Sequence, residues 1–346
     1  MAVSIKDIAR LAGVSHSTVS RALNHSPLIP VITAERIQRI AAEKGYTASA
    51  VARSLVTRKT KAIGVVVTSI ADPFNGEVVA GLEEAANHEG YSVVLATSQA
   101  DPRRELEVVR SFRERRVDGI LVASSRLGAQ YQPLSDEWEA PIVLLNNQHP
   151  SELAHSVSID NTDGGYQATA HLIELGHREI AYIGDESGLQ SDEERFTGFQ
   201  AAMKKARLKV RRELIVRGDG KREGGQKAAA DLLNLIKPPS AVFCYNDMTA
   251  LGAIEEVQAR GWRVGREVSV VGFDDLFFAA SLQPPLTTFR QPKKELGRQA
   301  MQLLLAILKG QPAERKVVIR GELVVRGSTG KPYQAILSGK NLPAKS

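Results

Sequence analysis

The sequence predicts an α/β protein, two doubly wound lobes preceded by a small all-α head, and three observations carry that reading. From residue 62 onward, runs of β-branched residues alternate with helical stretches, the pattern of buried parallel strands joined by right-handed crossovers. The alternation occurs twice, around a break near residues 160–165. Before residue 62 there are only short helical periods and an excess of basic side chains.

The head comes first. Ser4 can cap a first helix, with Asp7 completing a capping-box-like pair, and Ile5, Ile8, Ala9 and Ala12 fall on one apolar face. Gly13 and Val14 interrupt it. Ser15 can cap a second helix over 16–23, whose Val19, Ala22 and Leu23 face inward. A turn containing Pro27 and Pro30 leads to a third helix ending near Lys44, with Gly45 in the position that closes helices. Two helices joined by a short glycine-containing turn form the helix-turn-helix arrangement, in which the second helix enters the DNA major groove.

Charge supports that use. The chain of 346 residues carries a net charge of +6. Residues 1–61 hold ten basic side chains against three acidic ones, a charge of +7, so the remaining 285 residues sum to −1. A basic head on a neutral body fits a polyanionic partner. Residues 46–61 read as a short helix rich in small residues, ending in Arg58-Lys59-Thr60-Lys61. Helices this short are marginal in water, so the segment is expected to fold conditionally, as a hinge.

In the core, strands are expected at 62–68, 91–96, 119–123, 141–145 and 157–159, and again at 180–184, 241–245 and 268–273. Helices are expected at 76–88, 103–115, 164–175, 195–206, 222–235 and 247–259. Two such lobes leave a cleft between them as the small-molecule site.

Several functions drop out. The apolar run 301–308 is too short to span a bilayer, and the N-terminus lacks the pattern of a signal peptide, so a cytoplasmic protein without a membrane partner is expected. A single cysteine, Cys244, excludes an internal disulfide and a cysteine-based zinc site. No phosphate-binding glycine loop follows a strand, and no nucleophile elbow is present. His171 and His177 read as a polar helix-end pair and not as metal ligands, and the run Asp192-Glu193-Glu194 as a solvated helix start. No cofactor, metal or catalytic residue is expected. Asn246-Asp247 and Asp274-Asp275 each follow a strand's carboxyl end, where open α/β sheets place ligand contacts. A binding protein is favoured over an enzyme.

The segment IKDIARLAGVSHSTVSRALN (5–24) resembles the head signature of the LacI/GalR-type transcriptional repressors, which read close to VAxxAGVSxxTVSRVLN. The likeness continues through AAEKGYTASAVARSL (41–55), HLIELGHREIAYIG (171–184), YNDMTALGA (245–253), VSVVGFDD (268–275) and PPLTTFRQP (284–292), and so spans nearly the whole chain. It implies a helix-turn-helix head over 1–45, a hinge helix and linker over 46–61, and a type I periplasmic-binding-protein-like core over 62–330. Lobe 1 would comprise about 62–160 and 291–322, lobe 2 about 161–290 and 323–330, and 331–346 would be a polar tail.

The resemblance also implies roles. His16, Ser17 and Arg21 match base-reading positions; an arginine there can donate two hydrogen bonds to a guanine edge. Ser15, Thr18 and Ser20 fit phosphate contacts that orient the head, with packing inside the motif an equal alternative for Thr18 and Ser20. Leu55, with Ala52, matches the hinge positions that wedge into the minor groove and kink the duplex. Phe74, Asn146, Arg195, Asn246 and Asp274 match effector contacts: Arg195 and Asp274 to clamp hydroxyls or a carboxylate, Asn246 to supply donor and acceptor, Phe74 to stack. Three departures stand out: Ala48-Ser49 replace the usual Pro-Asn of the hinge, Asn146 replaces an aspartate, and Gly220 replaces an aromatic residue.

The expected function is thus a homodimeric, sequence-specific repressor of pseudo-palindromic operator DNA, controlled by a sugar-like effector in the cleft. The dimer surface is expected to include the helix after Phe74 and the segment 277–282. The alternatives are a nucleoside- or purine-type co-repressor on the same fold, a sugar-modifying enzyme, and a nonspecific architectural DNA binder.

Overall fold

The computed structural model describes residues 3–24, 26–46, 59–127, 140–146 and 155–333. The chain forms two compact units, Met1–Lys61 and Ala62–Ser346.

In the first unit, α1 (Ile5–Ala12), α2 (His16–Leu23) and α3 (Val31–Glu43) enclose a core of Ile8, Ala9, Ala12, Val19, Ala22, Ile37 and Ala41. Ser4 caps α1: Asp7 N–H donates to Ser4 Oγ at 3.4 Å and Ser4 N–H to Asp7 Oδ2 at 3.1 Å, satisfying donors the helix start would leave open. Gly13, at φ 63°, turns the chain out of α1. Ser15 then caps α2, accepting from Thr18 N–H at 3.1 Å. Arg36 of α3 donates to the Ala12 carbonyl at 2.9 Å, tying the third helix to the end of the first.

The second unit contains two six-stranded sheets. In the first, the order is β11 (Lys316–Ile319), β5 (His155–Ile159), β4 (Ile142–Leu145), β3 (Gly119–Ala123), β1 (Ala62–Val67), β2 (Ser92–Thr97), all parallel. In the second it is β12 (Glu322–Val324), β10 (Thr287–Arg290), β9 (Ser269–Asp274), β8 (Ala241–Cys244), β6 (Ile180–Asp185), β7 (Ile215–Gly218), with only β12 antiparallel. Strands β3, β4, β6, β8 and β9 are buried throughout, which is why their sequences are mostly apolar, polar residues standing only at the ends of β6 and β9. Strands β7, β11 and β12 are edges, partly exposed and short; with β10, they carry no such run and escape the sequence reading.

The helices are α4 (Pro73–His88), α5 (Pro102–Glu114), α6 (Asn161–Glu174), α7 (Gln190–Lys205), α8 (Arg222–Leu233), α9 (Asp247–Ala259) and α10 (Lys293–Leu308). Four begin earlier than expected, α4, α5, α6 and α7, and an aspartate caps the first three. Asp72 accepts from Phe74 N–H, Asp101 from Arg103 N–H and Asp160 from Asp163 N–H. Proline at the first position of α4 and α5 needs no hydrogen bond there.

The chain crosses between sheets three times, after β5, after β10 and after β11. Glu322 already pairs with Arg290 in the second sheet, so the chain is back in that lobe before the 322 boundary expected from the sequence. Paired helices are locked by glycine. A Cβ on Gly81 would collide with the Lys294 carbonyl and one on Gly297 with that of Val78, joining α4 to α10. Gly165 and Gly198 meet the carbonyls of Arg195 and Thr162 in the same way, joining α6 to α7.

Candidate functional site

On the head, His16, Ser17 and Arg21 are exposed along α2, while Thr18 and Ser20 are half-buried. Ser15 Oγ lies 2.7 Å from Ser17 Oγ and 2.8 Å from Thr18 Oγ1. The three hydroxyls therefore form a chain at the start of α2, beside the helix's open N–H groups, a setting suited to an anionic oxygen. Leu55, Ala52 and the Ala48-Ser49 pair lie outside the described residues.

In the core, both sheets reverse strand order next to a central strand, between β1 and β3 in one and β6 and β8 in the other. At such points the loops beyond the strand ends splay apart and leave a crevice. A cavity of about 590 Å³ opens there, and Phe74, Asn146, Arg195, Asn246 and Asp274 all line it. The structure thus brings together five residues that are far apart in sequence.

Arg195 is 5% exposed. Its Nε donates to Asn161 Oδ1 at 3.0 Å and its Nη1 to the Tyr245 carbonyl at 2.7 Å. The guanidinium lies 3.7 Å from the Phe273 ring centroid and 4.6 Å from that of Tyr245. Two nitrogens are thus bonded to protein and two aromatic rings pack on the guanidinium, which leaves Nη2 without a protein acceptor among the described residues. A two-pronged clamp is reduced to a single aimed donor.

Asn246 shows a similar economy. Its Oδ1 accepts from Thr249 N–H at 2.8 Å, capping α9, and its Nδ2 donates to the Gly220 carbonyl at 2.9 Å. Each end of the amide keeps one further hydrogen-bonding position. Asn146, at φ 42°, accepts from Ile159 N–H at 3.2 Å, which ties the end of β4 to the end of β5. Phe74 is half-buried at the start of α4, packed on the lobe's apolar core.

Asp274 is 7% exposed and accepts from Gln291 Nε2 at 2.6 Å. Burial pushes its carboxyl up to about 7, against the pull of Arg195 and Lys293. Burial also raises Asp72, which lines the same cavity. Gln291 is another lining residue, and its Oε1 is buried with no partner among the described residues. The sequence reading missed Gln291 and Asp72 because each acquires meaning only through the far segment it meets.

Other sequence readings resolve here. Asp247 does not reach the cavity: fully buried, it accepts from Thr288 Oγ1 at 2.6 Å and Leu276 N–H at 2.7 Å, shaping the loop after β9. Asp275 pairs with Arg290 and Arg326, each at 2.7 Å; although burial opposes it, these partners hold its carboxyl below the usual range. Asp192 is not solvated. It is buried and accepts from the Tyr182 hydroxyl at 2.7 Å, and Glu194 is half-buried and accepts from Asn161 Nδ2 at 2.9 Å, so of the three only Glu193 is exposed. His177 is buried, its Nδ1 2.8 Å from Ser240 Oγ and its Nε2 2.8 Å from the Gly330 carbonyl. Cys244 is fully buried, which pushes its thiol pKa up. Among the described residues no group of His, Cys, Asp and Glu is placed to hold a metal, and no helix is long and apolar enough to cross a membrane.

A helix-turn-helix head and a two-sheet core with a cavity at both switch points define a DNA-binding regulator carrying a periplasmic-binding-protein-like core. Residues 4–49 match the description "Bacterial regulatory proteins, lacI family", and residues 169–329 match "Periplasmic binding protein-like domain". The HTH-type transcriptional repressor PurR of Aliivibrio fischeri (strain MJ11) is 37% identical, across 94% of this chain and 98% of its own length. The lac repressor dimer bound to operator and the anti-inducer ONPF superposes with a TM-score of 0.86 at 28% identity, covering 95% of this chain and 100% of that one. The transcriptional regulator CelR in complex with cellobiose gives a TM-score of 0.72 at 32% identity, covering 94% and 99%. The chain belongs to the lacI family of bacterial regulatory proteins, and it is a DNA-binding transcriptional repressor.

Proposed function

We propose that this repressor acts in the cytoplasm as a homodimer whose affinity for a pseudo-palindromic operator is set by a sugar or sugar derivative in the interlobe cavity. The observation that carries the reading is the cavity wall, which combines two aromatic residues, Phe74 and Tyr245, with a set of spare hydrogen-bonding positions on Arg195, Asn246, Asp274 and Gln291. A sugar presents an apolar ring face to one side and hydroxyls, each donor and acceptor, to the other. Gly220 lines the wall in place of the aromatic residue expected from the family likeness, leaving Phe74 and Tyr245 as the aromatic lining; with one stacking face fewer for a flat base, a sugar is favoured over a nucleobase. In this reading the core binds without turnover, His16, Ser17 and Arg21 read bases, and Ser15, Thr18 and Ser20 position the head on phosphates. Leu55 and Ala52 enter the minor groove between half-sites. CelR supplies a precedent for a sugar in this fold.

A thermal-shift screen of the full-length protein over neutral sugars, sugar acids, nucleosides and nucleobases tests the effector. A ligand at 100 times its Kd stabilises the folded state by about 2.7 kcal/mol, so a true effector raises Tm by several degrees and is recovered chemically unchanged. Stabilisation by nucleosides or bases alone would replace the sugar by a purine-type co-repressor. Consumption of a sugar would make the core an enzyme.

A further inference from the structure

Lys293 is the first residue of α10, immediately after the chain passes from the second sheet to the first. It is 4% exposed, an unusual position for an ammonium. Its Nζ donates to the main-chain carbonyls of Asp274 and Asp275, each at 2.8 Å, and lies 3.4 Å from Glu77 Oε1 on α4. A buried ammonium has three protons to place, and this one has three acceptors drawn from both lobes.

The carbonyls it holds belong to a bend that L-residues avoid. Asp274 has φ 123° and Asp275 φ 53°, conformations that persist where the surroundings impose them. Lys293 supplies that restraint from lobe 1. The Arg290 and Arg326 pairs on Asp275 and the Asp247 bond to Leu276 N–H supply it from lobe 2. On the other side, Lys293 belongs to a helix that cannot slide on its neighbour, because Gly81 and Gly297 bring α4 and α10 into backbone contact. Phe74, one turn before Glu77 on α4, stands on the cavity wall.

We propose that Lys293 is a positioning residue that fixes the angle between the lobes: it aims the Asp274 carboxyl into the cavity and transmits any movement of the Asp274-Asp275 bend to α4. Effector contact at Asp274 then reaches lobe 1 through one buried ammonium. The inference rests on the cavity being the effector site, but its test needs no effector, so the two can fail separately.

The test uses ligand-free full-length protein with Glu107→Cys and Lys227→Cys, exposed sites on α5 and α8, carrying nitroxide labels and diluted with unlabelled protein. The native Cys244 is fully buried and stays unlabelled. Pulsed EPR then reads the interlobe distance in this background, in Lys293→Met, and in the control Lys294→Met, which removes an exposed charge one residue away. In parallel, carboxyl ¹³C NMR follows Asp274, assigned by Asp274→Asn. The titratable groups around that carboxyl are Arg195 on α7, Asp72 ahead of α4, Tyr245 after β8, Asp247 on α9, the adjacent Asp275, and Lys293.

Lys293→Met is expected to shift and broaden the interlobe distance and to raise the Asp274 midpoint by about one pH unit or more, with Lys294→Met unchanged in both. If Lys293→Met does not fold, Lys293→Gln, which keeps amide donors, is expected to show the same changes at smaller size. A folded Lys293 variant with lowered Tm but unaltered distance and titration would make the residue merely structural. An equal response in Lys294→Met would also overturn the proposal.

Discussion

Asp274 and His177 are both buried ionisable groups, and burial moves their pKa values in opposite directions. With its carboxyl pushed up to about 7, Asp274 changes charge near neutrality. In the sugar-bound reading the carboxylate accepts from effector hydroxyls, so effector affinity should fall as pH drops through that value, by up to about tenfold per pH unit. Calorimetric titrations on either side of neutrality should show this in the wild type and not in Asp274→Asn. His177 is pushed down to about 4, chiefly by burial. The unfolded chain binds a proton there that the folded one does not, so stability is lost as pH falls from about 6.5 toward 4, at most roughly 3 kcal/mol. Thermal melts across that window should be steeper in pH for the wild type than for His177→Asn. The sequence shows both residues but not their partners. Ser240, Ser269 and Gly330 around His177 come from separate segments, and the Asp274 environment is assembled from four helices or their approaches.

At the scale of elements, legibility follows the apolar run: the largely exposed edge strand β2 is plain in its run over 93–96, whereas β10, buried over 287–289, is not. Strands buried on both faces, such as β8 and β9, are plain in the sequence, whereas β7, β11 and β12 owe their form to the neighbour they pair with. Helix starts differ from the expected ones by up to five residues, as at α7, which begins at Gln190 and not at Arg195. The glycine-locked helix pairs give a direct prediction. Gly81→Ala should cost about 1–3 kcal/mol, read as a lowered Tm, because a Cβ there meets backbone and not a movable side chain. The 277–282 segment gives another. Phe277 is 76% exposed beside Phe278, and if it lies in the proposed dimer surface, Phe277→Glu should shift sedimentation toward monomer without altering the melting of the head.

For the whole molecule, a net charge of +6 conceals its distribution. The +7 of residues 1–61 belongs to one compact unit, and the nearly neutral remainder to the unit with the cavity. Nonspecific DNA affinity should therefore track the head's cations and weaken steeply with salt, while sequence preference should depend on His16, Ser17 and Arg21. Replacing Arg21 with alanine should cost about 1–3 kcal/mol on the preferred site and relax preference at one base position, measured by competition with single-base variants. The family and the two-part organisation were legible because the head motif is local. The cavity was legible only residue by residue, through resemblance, since its walls meet across three chain crossings.

The central claim is that a ligand in the core controls sequence-specific DNA binding by the head. Fluorescence anisotropy at one fixed salt concentration tests it most directly, titrating full-length protein into a palindrome selected from a randomised pool and into its scrambled counterpart, with and without the stabilising sugar. The account predicts at least about 10³-fold preference for the palindrome, and a change of about 5–150-fold in that affinity alone on adding the sugar. A preference near unity, or an operator affinity that the bound sugar leaves unchanged, would contradict it.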